Sequence, residues 1–274
     1  QSKFKLKNIP FYNGKGIDEY LLVRHNPWII DTLAHTDYYY QSANDSFVYD
    51  QKEMLVFRAN DTLFFPSAAA ATALRQRQQQ TVLDLNIPEF KLRIYEAGQL
   101  LHTFPVRVGR DEQQYLAMAN REVDLRTYAG TGKIVRINRD PAFINPVNNK
   151  RYDVTRRDDK RVTRLPLVPW LEPEINGHRY GQLIHPTTNP KTLGKAYSNG
   201  CIGTRVGDMW RIYYYAPLGT PVNFRYDLNV EDANGNPIRL KDIYPNNQSA
   251  GKNVAAIFPS VTKRKEMIAV CECR

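Results

Sequence analysis

From Thr81 to Leu228 the chain repeats one pattern: a short apolar or alternating run, then a turn signal. Val82–Leu85 opens the series. Lys91–Tyr95 alternates polar and apolar residues, Ala97-Gly98-Gln99 turns, and Leu100–Val108 returns, which predicts a hairpin with one buried face. Val123–Arg126, Ile134–Ile137, Arg179–His185 and Pro221–Tyr226 read as further strands, with Tyr128–Gly132 as a turn between the first two. One stretch, Asp208–Ala216, has helical spacing, with Met209, Trp210, Ile212 and Tyr213 as its apolar residues. No regular strand–helix alternation is present. The pattern therefore favours a mainly β architecture, a sandwich or barrel-like fold, over a doubly wound parallel sheet.

The flanks read differently. Residues 1–66 suggest a small α/β module. Helices are expected at Ile17–Val23 and from Asn26-Pro27, where Asn26 can cap and Pro27 suits a first turn; strands are expected at 47–49, 55–57 and 62–65. Ser67–Gln80 is Ala-rich and then Gln/Arg-rich, a linker or solvated helix that marks a boundary. Residues 81–228 form the main domain. Residues 229–274 form a C-terminal extension with a turn at Asn234–Pro237, a short run at Ile238–Leu240 and a weak apolar stretch at Val254–Phe258.

Composition narrows the function classes. No run of about 18 apolar residues exists, so no membrane-spanning helix is expected. The net charge of +10 gives either plain solubility or attraction to a polyanion. No RNP-like aromatic motif or zinc-finger spacing accompanies it, which argues against nucleic acid. Lys150–Arg164 holds seven basic and three acidic residues, a solvated loop or a lid able to meet carboxylates. The first residue is Gln1, consistent with a removed leader and export.

Three cysteines are present. Cys271 and Cys273 lie in the last four residues, where a strained local bridge, a contact with another chain or a loose tail are all open. Cys201 stands apart, in Ser198-Asn199-Gly200-Cys201-Ile202-Gly203-Thr204, behind Ile184-His185-Pro186-Thr187. A buried structural cysteine usually has apolar neighbours; these are small and polar. A thiolate is a strong nucleophile, and an imidazole can take its proton. Gly200 leaves backbone N–H groups free to approach an oxyanion. Cys201 is thus the candidate nucleophile and His185 its general base and acid. Of the other histidines, His25, His35 and His102 suit surface or capping positions, and His178 follows a turn.

The order of these features resembles the YkuD-type L,D-transpeptidase catalytic domain. Val82–Val108 matches its entry strands, Thr127–Thr131 its Thr-Pro turn, Ile184-His185 its histidine strand and Ser198–Ile202 its cysteine signature; Asp208, Ile212-Tyr213 and Gly219-Thr220-Pro221-Val222 follow in family order. The N-terminal module is also similar, more faintly, to a wall-binding LysM-like unit, through Asn26-Pro27 and Leu63–Pro66. Three positions depart from the family: Asn199 stands where a His is usual, Pro186 where a Gly follows the base, and Gly203 where an Arg is usual, with Arg205 the nearest substitute in sequence. Pro186 brings no N–H, so His185 must be oriented by a carbonyl or another group.

The resemblance implies an enzyme that forms a Cys201 acyl-enzyme with a peptidoglycan tetrapeptide stem. D-Ala leaves, and the acyl group passes to an amine as a 3-3 crosslink. Water as acceptor would make it an L,D-carboxypeptidase, and a protein acceptor would make it a wall-anchoring enzyme. A non-catalytic wall-binding protein is the alternative that Asn199 supports. Gly200 would supply the oxyanion-hole backbone, and Ser198, Asn199, Tyr197 and Arg205 would meet substrate. No metal or organic cofactor is implied. The partners are stem peptides, and the location is the periplasm or cell envelope.

Overall fold

The computed structural model describes residues 17–35, 60–116, 121–144, 149–156 and 160–245. The strands expected at 47–49 and 55–57, the apolar stretch at 254–258 and the Cys271/Cys273 tail lie outside the described residues.

Among the described residues, three helices come first. α1 (Glu19–His25) is capped by Asp18, whose side chain accepts from Leu21 N at 2.9 Å. α2 (Trp28–Ala34) follows directly. Asn26 does not cap it through its side chain. Its amide donates to Leu22 O and Phe64 O and accepts from Phe64 N, all at 2.8–2.9 Å. An amide has a donor and an acceptor, so it can pair with a passing backbone as a strand would. That segment, 61–67, accordingly stays irregular where a strand was expected at 62–65. The 67–80 stretch forms α3 (Ala68–Gln79). Ala71 and Leu74, three residues apart on one face, are buried with Ile17 and with Leu21 and Leu22 of α1.

The mainly β expectation holds. β1 (Thr81–Asn86), β2 (Lys91–Glu96) and β3 (Gln99–Pro105) form the entry meander. β4 (Val108–Gly109) precedes the pair β5 (Gln113–Leu116) and β6 (Arg121–Asp124). β7 (Gly130–Asn138) begins inside the segment expected to be a turn. The basic stretch forms a short hairpin, β8 (Val154–Arg156) and β9 (Val162–Arg164). β10 (Trp170–Ile175), β11 (Ile184–Pro186), β12 (Ala196–Ser198) and β13 (Ile202–Thr204) lead to α4 (Val206–Tyr215), and β14 (Pro221–Arg225) follows. β15 (Asn229–Glu231) and β16 (Pro237–Arg239) pair in the extension. The large sheet has eight strands in the order β13-β11-β10-β7-β14-β1-β2-β3. β1 runs parallel to β14, and β11 parallel to β13.

β10 was not legible in the sequence. Pro173 argues against a central strand, because proline cannot donate to a ladder. The structure resolves the conflict with a register shift between Glu172 and Pro173 on the β7 side. Conversely, only the end of the expected 179–185 strand is regular.

One apolar core joins the sheet to the helices. Leu83, Leu171, Ile184 and Ile202 from strands pack with Met209 and Ile212 of α4, and Val23, Ile29 and Ile30 of α1 and α2 belong to the same cluster. Each fully buried side chain of this kind contributes about 1.5–3 kcal/mol. The N-terminal helices are also fixed by buried charge. Arg24 pairs with Glu96 at 2.6 Å, and Glu19 accepts from Arg139 at 3.2 Å and from the Tyr214 hydroxyl at 2.7 Å.

Successive strand residues point to opposite faces. Leu171, Ile184 and Ile202 enter the main core. Their chain predecessors Trp170, Leu183 and Cys201 form a separate small cluster. That alternation places the cysteine on the side of the sheet away from α4.

Candidate active site

The site is built on the parallel pair β11–β13. The register opposes Ile184 to Ile202 and His185 to Gly203. His185 therefore shares a face with Gly203, and Cys201 is the residue just before β13. Strand spacing gives a diagonal Cα separation of roughly 8 Å between His185 and Cys201, within reach of an imidazole and a thiol. Cys201 is fully buried, and Leu183 N donates to its sulfur at 3.2 Å. The sulfur is also engaged in a disulfide. The chain's other cysteines, Cys271 and Cys273, lie outside the described residues.

His185 is 3 % exposed. Its Nδ1 lies 3.0 Å from Pro186 O, a backbone carbonyl in the orienting position that the proline substitution calls for. With the proton on Nδ1, the lone pair is on Nε2. Burial, and then the charge of Arg107, push the imidazole pKa down to about 4, while the Pro186 carbonyl opposes the shift. The ring is therefore neutral at ordinary pH, the form that can accept a proton.

The loop before Cys201 is held from several sides. Ser198 Oγ donates to Cys201 O at 2.6 Å, so this buried hydroxyl is committed to shaping the turn. Gly200 has φ +102°, a conformation that favours glycine, and a Cβ there would lie 2.8 Å from Gln182 Nε2, so a side chain would also press on the Gln182 amide. Thr127 Oγ1 donates to Gly200 O at 2.9 Å and accepts from Gly109 N at 2.8 Å. Gln182 braces the same turn, donating to Arg126 O at 2.7 Å and accepting from Tyr128 N at 3.1 Å. Tyr244, from the C-terminal extension, donates to Gly109 O and accepts from Thr127 N. The tyrosines Tyr128 and Tyr180 stack at 4.2 Å beside this brace.

The predicted substrate-facing residues separate. Tyr197 is 47 % exposed on β12, Asn199 is half-buried in the turn, and Arg205 is exposed at the N-cap of α4. The guanidinium-bearing side chain against Gly203 is that of Arg107. Sequence reasoning did not find Thr127, Gln182, Tyr244 or Arg107 as parts of the site. For Arg107 the one signal was the bare Gly203. Among the described residues, no group of three or more His, Cys, Asp or Glu side chains is placed to hold a metal ion, and no helix is long and apolar enough to cross a membrane.

Over 132 residues the chain is 28 % identical to the putative L,D-transpeptidase YkuD of Bacillus licheniformis, covering 48 % of this chain and 58 % of that protein. Among solved structures, the L,D-transpeptidase (residues 123–326) of Xylanimonas cellulosilytica is 14 % identical with a TM-score of 0.38, covering 74 % of this chain and 92 % of that one. L,D-transpeptidase 3 of Mycobacterium tuberculosis, in complex with a faropenem-derived adduct, is 17 % identical with a TM-score of 0.36, covering 53 % and 61 %. Residues 80–224, just over half of the chain, match the profile of the L,D-transpeptidase catalytic domain, and the chain belongs to that family, YkuD.

Proposed function

We propose that the protein is an L,D-transpeptidase that works through a thioester on Cys201. The observation that supports this most directly is the β11–β13 register, which opposes His185 to Gly203 and so brings the imidazole beside the turn that carries Cys201. The reacting form is the reduced one, since only a thiolate attacks. His185 Nε2 takes the thiol proton. The sulfur adds to the carbonyl of the L-centre in a tetrapeptide stem, at the bond to the terminal D-Ala. Backbone N–H groups around Gly200 and Cys201 meet the oxyanion; one such donor is worth about 3–4 kcal/mol. As the tetrahedral species collapses, His185 returns the proton to the leaving amine, D-Ala departs and the thioester remains. The amine of a second stem then displaces the sulfur, giving a 3-3 crosslink. A stem substrate of this kind lies outside the cytoplasmic membrane, so the protein works in the periplasm or cell envelope.

Intact mass spectrometry of the reduced protein after exposure to a carbapenem tests the reading. A single adduct is expected, and none on Cys201→Ala. Absence of an adduct under conditions that label a reference family member overturns the catalytic reading. An adduct that survives in Cys201→Ala overturns the choice of nucleophile. Muropeptide analysis with tetrapeptide substrate then separates crosslinked product from the trimmed tripeptide that water as acceptor would give.

A further inference from the structure

The hydroxyl of Tyr244 sits where two supports of the cysteine turn meet. It donates to Gly109 O at 2.6 Å and accepts from Thr127 N at 3.1 Å. Gly109 is the β4 residue opposite Ser198 of β12, and Ser198 Oγ in turn holds Cys201 O. Thr127 Oγ1 holds Gly200 O. The carbonyls of Gly200 and Cys201 are therefore both pinned, and one phenol ties the two pins together. Tyr244 is 2 % exposed, so loss of its hydroxyl would take a partner from Gly109 O and from Thr127 N in a buried place.

Pinning Gly200 O does more than stiffen the turn. The peptide bond between Gly200 and Cys201 is trans and planar, so its C=O and N–H point in opposite directions. The hydrogen bond from Thr127 to the carbonyl thus fixes where Cys201 N–H points. Such a donor stabilises an oxyanion only when it is already aimed at the place where charge develops. Glycine leaves its peptide many orientations, so at Gly200 the plane has to be set from outside. Tyr244 itself is held in place. Its ring stacks on Tyr226 at 5.4 Å. The Tyr226 hydroxyl accepts from Ile243 N and Tyr244 N and donates to Asp242 Oδ1, which also accepts from Tyr244 N. This clamp lies beyond residues 80–224, the stretch that matches the family profile.

We propose that Tyr244 is a positioning residue of the acyl-transfer reaction: through Thr127 and Gly109 it holds the Gly200–Cys201 peptide with its N–H aimed at the oxyanion. The proposal rests on the acyl-transfer reading above. Tyr244 acts through the turn, with no contact to substrate required. The C-terminal extension is then a working part of the catalytic domain, closing its reactive turn from outside.

The experiment compares two reactions of Cys201 in the reduced protein. Carbapenem acylation passes through a tetrahedral oxyanion; alkylation by iodoacetamide, in which the sulfur displaces iodide, does not. Both are followed at the Cys201 peptide by mass spectrometry, with circular dichroism as the check on folding. Tyr244→Phe removes the hydroxyl and keeps the ring against Tyr226. Loss of a whole oxyanion donor costs on the order of 10²–10³ in rate, so a donor left in place but misaimed should cost about tenfold in acylation. Alkylation should keep the wild-type rate. On a tetrapeptide substrate the same variant should lower kcat with KM nearly unchanged, the pattern of a lost transition-state interaction. Asp242→Ala, at an exposed position, loosens the clamp and should slow acylation by a smaller factor, again without slowing alkylation. Ile29→Ala, which weakens the core on the other side of the sheet, should leave both rates unchanged while the protein stays folded. Wild-type acylation in folded Tyr244→Phe overturns the proposal. So does an equal slowing of both reactions, which is what a general loosening of the site gives. Should Tyr244→Phe fail to fold, the comparison is read from Asp242→Ala, where wild-type acylation or an equal slowing of both reactions overturns the proposal. A wild-type protein that is alkylated at Cys201 but takes no carbapenem adduct instead fails the acyl-transfer reading, so the two failures are distinguishable.

Discussion

The imidazole of His185 is held in the state a base needs. An ordinary histidine is half protonated near pH 6.5; burial and Arg107 bring this one down to about 4. Activity that requires the neutral ring should stay level as the pH falls through 6.5. It should then decline with a midpoint near about 4, read from kcat/KM of the reduced protein on a short substrate. A midpoint at 6.5 would contradict the assignment. The same shift has a stability consequence. Between about 4 and 6.5 the unfolded chain binds this proton and the folded chain does not, so stability falls as pH drops through that window. The loss is on the order of 3 kcal/mol at most and levels off below the folded value. Cys201 and His185 were legible as residues because their neighbours are unlike core sequence. Arg107 was not, because a charged residue between Val106 and Val108 carries no mark of what it faces.

At the level of elements, the site depends on two short strands and the turns braced against them. β11 and β13 have three residues each, too few to hold a register by themselves. The bracing comes from Thr127, Gln182 and Ser198, side chains that satisfy backbone groups in loops. Thr127→Val keeps the shape and removes the hydroxyl. It leaves Gly109 N–H and Gly200 C=O unsatisfied in a buried place, and each such group costs about 1–3 kcal/mol. A lower denaturation midpoint is expected, with slower acylation because the turn carrying Gly200 loosens. Unchanged acylation would mean that Gly200 is fixed without Thr127. The entry hairpin β2–β3 was readable from alternation and its glycine turn. β10 was not, because its proline is tolerated only through an irregular register with β7.

Over the whole molecule, α2 and the end of α1 share the main core with the sheet. Ile29→Ala in α2 should cost about 2–5 kcal/mol, as large-to-small changes in a packed core do. The loss should appear in one cooperative transition, since Ile29 packs in the core that α2 shares with the sheet. Two resolved transitions in calorimetry would count against a shared core. The second prediction at this scale concerns oxidation. Cys201 is disulfide-bonded in the structure, so protein kept without reductant should take no carbapenem adduct and should gain one on treatment with a dithiol. Full labelling without reductant would show that the bond does not occupy the reacting sulfur in solution.

The sequence by itself determined the class of architecture and the order of the strand-rich domain, and it singled out His185 and Cys201 as the candidates for acyl transfer. Alternation, turn chemistry and an atypical cysteine neighbourhood are local properties, and they survive in a linear text. Tertiary structure alone decided that Gly203 faces His185 on one side and Arg107 on the other, and that Thr127 and Tyr244 brace the turn of Gly200. These are contacts between segments separated by many residues. They arise from register and from the satisfaction of buried polar groups, which depend on the whole fold and leave no periodic trace in the chain.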